Sequence, residues 1–406
     1  MRKFVRRVCE LPKKYEWLLS DMNIGIDQIS FYTSQYFLDL KTLAAARGVD
    51  PEKYLIGIGQ SRMGIPSPDE DIVTMAASAA FRLKERGALD GVETLLFATE
   101  SGIDQSKAAG LFVHGLLDLP SRCRVVELKQ ACYSATAALR MAMGLVSMKP
   151  QSKVLVIASD VARYELGSPG ESTQGCGAVA FTVSADPRLI AIDSESGFYA
   201  ADVMDFWRPN YLSEAQVDGK YSTLIYIKAL KEAWKQYAEE SGRSLDDFFR
   251  FCYHIPFTRM AAKAHQKLAR GISDEELEQV IGESLIYSRE AGNCYSASLY
   301  VGITSLLDNC AEDLSGRRVG LYSYGSGCVG EFFSGIVQPG YRNALLTDVH
   351  QKLLAERTEL TFQQYEDIYH YGIPTDGGEH AFAQYRTGPF RFAGIEAHKR
   401  IYEAVQ

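Results

Sequence analysis

The sequence predicts an α/β protein assembled from two similar halves around one core. Three observations carry this prediction. Short apolar runs of strand length alternate with helix-length stretches rich in small residues, the pattern of a layered α/β domain. The alternation runs through the first half of the chain and then repeats in style. In both halves, a residue able to do chemistry stands where an apolar strand ends, the place where open α/β sheets put their ligand sites.

Residues 24–32 alternate apolar and polar side chains, as a half-buried strand does. Residues 39–47 read as a short helix. Residues 71–86 read as a longer one, with Asp69, Glu70 and Asp71 at its positive N-terminal end. The apolar run 94–98 is a buried strand that delivers Thr99, Glu100 and Ser101 to its C-terminal end. A helix over 106–117 and a strand over 124–128 follow. Residues 130–143 are strongly helical and rich in small side chains, and 153–158 and 175–183 are further strands.

The second half predicts a helix over 221–241, a strand over 248–254 ending at His254, and helices over 259–269 and 297–309. A strand over 318–324 opens into Gly325-Ser-Gly327, and 331–337 is the return strand. The predicted organisation is therefore an extension over 1–23, a first half over 24–185 and a second half over 186–340. Past about Tyr341 the alternation fades, and 341–406 is expected to pack as a helical addition.

Composition narrows the function classes. A length of 406 residues at 46% hydrophobic is ample for a large core. A net charge of -8 argues against a general nucleic-acid-binding field, though local Lys and Arg can still bind an anionic ligand. No run approaches about 18 apolar residues, so no transmembrane helix is predicted. The basic start, Met1 to Arg7, leads into Cys9, Glu10, Leu11 and Pro12 rather than an apolar stretch, so no secretory signal is predicted. The eight cysteines, at 9, 123, 132, 176, 252, 294, 310 and 328, form no C-x-x-C pair and no zinc-spaced cluster. They read as reduced thiols of a cytoplasmic protein without a metal site.

Three residues are candidates for chemistry. Cys132 lies where a strand gives way to a helix, and helix N-terminal N–H groups favour the thiolate, so a lowered pKa is expected there. Position alone does not separate this from a cysteine packing a helix on a sheet. His254 closes an apolar strand and can move a proton near neutral pH. Glu100 follows a strand, and a carboxyl group in an apolar pocket has a raised pKa suited to acid–base work. Each signal is weak alone. Together they suit covalent acyl chemistry: a thiolate takes an acyl group from a thioester, a base activates a carbon nucleophile, and donors hold the oxyanion.

The chain resembles the hydroxymethylglutaryl-CoA synthases, and more closely the bacterial mevalonate-pathway type, from about Ile24 to about Gly340. The matching stretches include Ile56-Gly-Ile-Gly-Gln60, Ala98-Thr-Glu-Ser101, Gln130-Ala-Cys-Tyr-Ser134, Asp205-Phe-Trp-Arg-Pro209, His254-Ile-Pro-Phe257, Gly292-Asn-Cys-Tyr295 and Ser323-Tyr-Gly-Ser-Gly327. Their order and spacing are together highly specific. The resemblance implies the thiolase fold, two βαβαβαβαα halves in a five-layer α-β-α-β-α sandwich, usually as a homodimer. It implies that acetyl-CoA acetylates Cys132, that Glu100 deprotonates the acetyl methyl, and that His254 anchors acetoacetyl-CoA. It further implies that Tyr164 lines the acetyl pocket and that Asn293 and Ser326 bind the acyl substrate. The Gly327 region and the Cys132 N–H would stabilise the thioester oxygen, and Arg259 and Lys263 would hold CoA phosphate. CoA thioesters are then substrates, and no metal or redox cofactor is implied.

The sequence departs from the family in having Arg259 where lysine is usual and Cys176 where alanine is common. An extra thiol near Cys132 raises the expectation of oxidation sensitivity. Three alternatives stay open at this point. One is a synthase that adds a β-branch to a carrier-protein-bound polyketide. Another resembles the ketoacyl synthase III enzymes, which pair the cysteine with His and Asn and lack a glutamate at the position of Glu100. The third is a non-catalytic scaffold of the same fold.

Overall fold

Nine strands pair into one continuous mixed sheet. The computed structural model describes residues 22–405; the extension expected over 1–23 lies almost wholly outside them. The strands are β1 (Ile24–Tyr32), β2 (Val92–Ala98), β3 (Arg124–Leu128), β4 (Lys153–Ala162), β5 (Gly175–Ala185), β6 (Ile190–Ala200), β7 (Arg250–Tyr253), β8 (Arg318–Gly325) and β9 (Val329–Val337). The main helices are α1 (Ile72–Glu85), α2 (Ala109–Leu116), α3 (Ser134–Met148), α4 (Gly219–Ser241), α5 (Arg259–Leu268), α6 (Asp274–Ile281) and α7 (Ser298–Asn309).

The sheet is a duplication. The first half runs β1-β5-β4-β2-β3 and the second β6-β9-β8-β7. Each begins with two antiparallel pairings and then turns parallel. Within the sheet the halves are joined through β1 and β6, where Gly25 faces Ala191 and Ile26 faces Ile190.

Burial explains the layering. The largest core cluster takes Ala135, Ala138, Leu139 and Ala142 from α3, Leu299, Ile303 and Leu306 from α7, and inward residues of both sheet halves. Helices α3 and α7 therefore form a middle layer. Helices α1 and α2 cover the outer face of the first half, and α4, α5 and α6 cover that of the second. The result is the five-layer α-β-α-β-α sandwich that the resemblance implies. Small side chains on α3 let the layers approach closely.

The elements differ from expectation in several places, among them the following three. Strand β6 was not predicted, because Asp193, Ser194, Glu195 and Ser196 interrupt its apolar pattern where one side of the strand meets solvent. Helix α3 starts at Ser134, not near Gln130: Tyr133 N–H bonds to Gln130 O at 3.0 Å and Ala131 has φ 44°, so residues 130–133 form a turn ahead of the helix. The C-terminal addition is only half helical. After helices Thr347–Ala355 and Phe362–His370 it ends in an antiparallel three-stranded sheet, His380–Ala381, Phe390–Glu396 and Lys399–Ala404. The last two strands carry period-two alternation, whose inward Phe390, Phe392 and Tyr402 pack on α1, α2 and each other.

The acidic triplet before α1 also does more than was expected of it. Asp71 caps the helix by accepting from Val73 and Thr74 N–H. Asp69 instead takes Arg391 and the Tyr385 N–H, and Asp71 also takes Arg400 and the Tyr402 hydroxyl. Asp69 and Asp71 thus fasten the C-terminal sheet to the first half. Among the described residues, no helix is long and apolar enough to cross a membrane.

Candidate active site

The two halves bring their strand ends together around a cavity of about 820 Å³, whose wall includes Cys132, Tyr164, His254, Asn293 and Ser326. Two glycines make the approach possible. A side chain at Gly325, the last residue of β8, would come within 2.5 Å of Gln130 O and 2.7 Å of Tyr133 N. One at Gly175 would come within 2.4 Å of Ala291 O and 2.7 Å of Asn293 N. Only glycine lets these backbones touch, which presses the second half onto the cysteine turn and Asn293 onto the first half.

Cys132 sits in the turn before α3, and Glu100 two residues past β2. Cys132 Sγ lies 3.5 Å from Glu100 Oε2. Tyr164, Ala215, Tyr295 and Phe206 pack around the cysteine as a small apolar cluster. Burial here, with the carboxyls of Glu100 and Asp160 close by, pushes the Cys132 thiol well above its ordinary value. This corrects the expectation of a lowered pKa: loss of water and two nearby carboxyls outweigh the helix N-terminus. Burial and Asp160 likewise push the Glu100 carboxyl up to about 8. The resting pair thus holds its protons tightly, and Glu100 near neutral pH is poised between acid and base.

Asp160, which sequence reasoning missed, fixes Glu100. One of its oxygens accepts from the Thr99 hydroxyl at 2.7 Å and from the Glu100 and Ser101 N–H groups at 2.9 Å each. The other accepts from the N–H and hydroxyl of Ser296, across the half boundary. Asp160 is fully buried. An aspartate inside the apolar strand 153–162 was a visible signal, since such a carboxyl must find donors.

His254 follows β7 directly. Its N–H donates to Tyr322 O at 2.7 Å, and its carbonyl accepts from the Tyr226 hydroxyl at 2.7 Å. Burial pulls the imidazole down to about 3, so the ring is neutral, and its Nδ1 has no partner within the protein. Asn293 is oriented in the opposite sense. Its Oδ1 accepts from Tyr295 N–H at 2.9 Å and Ser298 Oγ at 3.0 Å, leaving its amide N–H groups to face the cavity. Both residues are placed to hydrogen-bond a carbonyl substrate.

The remaining expectations divide. Ser326 lines the cavity, and its carbonyl accepts from Gln130 Nε2 at 3.2 Å. Gly327 does not line it: Gly327 borders a separate open depression, and its N–H is taken by Asp205 Oδ1 at 2.9 Å. It is therefore not available as an oxyanion donor, because the buried Asp205 needs that N–H. Arg259 and Lys263 are exposed on α5, whose Met260 lines the cavity, but neither side chain forms its wall. Lys263 stacks over Phe257 at 4.9 Å, at the cavity edge. Lys220, not foreseen, does line the cavity beside Asp218 and Glu165, so the mouth carries both signs of charge. The extra thiols are buried, and burial pushes Cys176 up to about 12, which makes it inert rather than oxidation-prone.

A thiol that can carry an acyl group, a carboxyl against it and carbonyl-binding groups opposite, at the strand ends of a duplicated sandwich, make this an acyl-transferring enzyme of the thiolase-fold class. Comparison with known proteins narrows the class. The family model for the hydroxymethylglutaryl-coenzyme A synthase N terminal region matches residues 20–188, and that for the C terminal region matches 190–270 and 261–371. The hydroxymethylglutaryl-CoA synthase of Enterococcus faecalis is 42% identical over 361 residues, 87% of this chain and 94% of the relative. The polyketide biosynthesis 3-hydroxy-3-methylglutaryl-ACP synthase PksG of Bacillus subtilis is 32% identical over 86% of this chain and 88% of its own. A crystal structure of an HMG-CoA synthase complexed with CoA superposes with a TM-score of 0.91 at 41% identity, covering 95% of this chain and all of that one. The chain belongs to the hydroxymethylglutaryl-CoA synthase family.

Proposed function

We propose that the protein condenses acetyl-CoA with acetoacetyl-CoA and releases 3-hydroxy-3-methylglutaryl-CoA and CoA. The observation that carries this is the Cys132–Glu100 contact of 3.5 Å at the wall of the cavity that His254 and Asn293 share. Cys132 Sγ attacks the acetyl-CoA carbonyl, and CoA leaves with the thiol proton. Glu100, as carboxylate, takes a proton from the methyl of the acetyl-cysteine. The resulting carbon attacks C3 of acetoacetyl-CoA, whose ketone oxygen is held by His254 and Asn293. The proton on Glu100 passes to the new hydroxyl. Water then cleaves the enzyme thioester, freeing the product's new carboxylate and the thiol. The apolar ring of Tyr164, Phe206 and Tyr295 fits a small acetyl group. The reaction needs no metal or redox cofactor.

Lys220, which lines the cavity, and Arg259 and Lys263, exposed on the helix whose Met260 lines it, are assigned to CoA phosphates. A carrier protein, which is acidic, would favour a uniformly basic rim; Glu165 and Asp218 at the mouth argue against it. The greater identity to the CoA-dependent relative points the same way. The product then feeds isoprenoid synthesis through mevalonate. A homodimer is supported by β3, an edge strand of the sheet on which Val126 is 48% exposed, with Leu111 and Met141 also exposed. A cytoplasmic setting is supported by the seven cysteines of the described residues, all free. The test is consumption of acetoacetyl-CoA that depends on acetyl-CoA, with the product identified by mass. Consumption only when an acetylated carrier protein is supplied would replace this reading with polyketide β-branching.

A further inference from the structure

Apart from Phe206, the stretch Asp205-Phe-Trp-Arg-Pro209 has no role in the chemistry described above, yet it lies against the site. Residues 205–218 form a cover over one side of the cavity. Phe206 and Trp207 pair antiparallel with Val217 and Gln216, and Phe206, Ala215, Gln216 and Val217 face inward. The cover is anchored at its start. The buried Asp205 accepts from the Tyr324 hydroxyl at 2.8 Å, from Ser222 Oγ at 3.2 Å and from Gly327 N–H. It has a second anchor. Arg208 Nη2 donates to the main-chain carbonyl of Glu100 at 2.6 Å.

We propose that Arg208 is a positioning residue for Glu100: it locks the Glu100 backbone to the cover and holds a cation beside that residue. This rests on the reading of Glu100 as the base. The hydrogen bond is short and charge-assisted, so it restrains the loop more than a neutral contact would. The groups facing Glu100 come from several elements. Asp160 on β4 disfavours its ionised form, whereas the Cys132 thiol ahead of α3 donates to the carboxyl and favours that form; Tyr164 and Tyr295 are neutral. Arg208 is the cation among them and opposes Asp160. Removing it makes Glu100 harder to ionise and takes an opposite charge away from the neighbourhood of the adjoining thiol.

The test uses the full chain without substrate. The rate of iodoacetamide alkylation of Cys132, followed by peptide mass across pH 7 to 11, reports the thiolate. In R208M the rise of alkylation moves to higher pH by about one unit, the size expected on losing a nearby opposite charge. R208K keeps the charge and stays close to wild type. In turnover, R208M loses about tenfold or more in kcat, within the range general-base catalysis supplies, while the KM for acetyl-CoA changes little, and R208K recovers most of the loss. Thermal melting checks folding; should R208M not fold, R208Q replaces it. An R208M or R208Q profile that superposes on wild type overturns the proposal, as does an R208K profile displaced as far as R208M. A wild-type protein that fails to consume acetoacetyl-CoA overturns the proposed function instead, while alkylation still reads Arg208.

Discussion

Glu100 Oε2 stands 3.5 Å from Cys132 Sγ, and the backbone around Glu100 is held by three donors to a single oxygen of Asp160. The carboxyl and the thiol come from different strand ends of the same half, so their spacing is set by the sheet and not by a flexible loop. Both groups are harder to ionise than in water. This suits a site that must stay neutral until substrate arrives and then move one proton at a time.

The first prediction concerns pH. Glu100 acts as a carboxylate, and its proton affinity is pushed up to about 8. Condensation by acetylated enzyme should therefore rise with pH up to about 8 and level off above it. Glu100→Gln should lower condensation by about a thousandfold yet still accept an acetyl group on Cys132. Rapid-quench measurement of each half-reaction separates the two. Equal loss in both would contradict the role given to Glu100.

The same carboxyl makes a prediction about stability. Its folded pKa lies above the ordinary 4.5, so the folded state binds the proton more tightly than the unfolded state. Stability from this group is full below about 4.5 and is lost as pH rises toward about 8. Glu100→Gln, which cannot ionise, should melt several degrees above wild type at pH 8 and close to it at pH 5. A melting difference that does not vary with pH would count against this burial.

His254 is neutral across the working range, since burial pulls it down to about 3. No break in the pH profile between 5 and 9 should vanish in His254→Ala. That variant, and Asn293→Ala, should lose about a hundredfold in the reaction with acetoacetyl-CoA, the usual worth of one oxyanion donor. Acetylation of Cys132 should stay within about threefold of wild type, because an anchor for the second substrate is not needed for the first. Single-turnover kinetics with each substrate reads both.

Arg391 tests the C-terminal sheet. It is buried, it pairs with the fully buried Asp69 at 3.3 Å, and it also reaches Glu403 and Phe382 O. Arg391→Ala leaves Asp69 without its cation and should cost about 3 kcal/mol. Replacing Asp69 and Arg391 together should recover part of that loss. Denaturant unfolding of the single and double variants measures both.

Much of this was legible in the sequence, for physical reasons. Apolar runs fix where strands lie, and β1 and β3 have the bounds that the pattern alone suggests. The runs also place Glu100 and His254 at strand ends, which is where the structure brings them together with Cys132. Strand β6 was not legible, because one side meets solvent and its polar residues hide the period. The final sheet was overlooked, although Phe390, Phe392 and Tyr402 do alternate. The direction of the Cys132 shift could not be read, since it depends on Asp160 and on aromatic rings distant in sequence. Gly327 failed as a donor for a similar reason: Asp205, over 100 residues away, takes its N–H.

The most direct test of the central claim is intact mass after incubation with acetyl-CoA, followed by addition of acetoacetyl-CoA. The account predicts a gain of one acetyl group that maps to Cys132, is absent in Cys132→Ser, and is discharged as 3-hydroxy-3-methylglutaryl-CoA. No acetylation by acetyl-CoA, or an acetyl group on another residue, would contradict it.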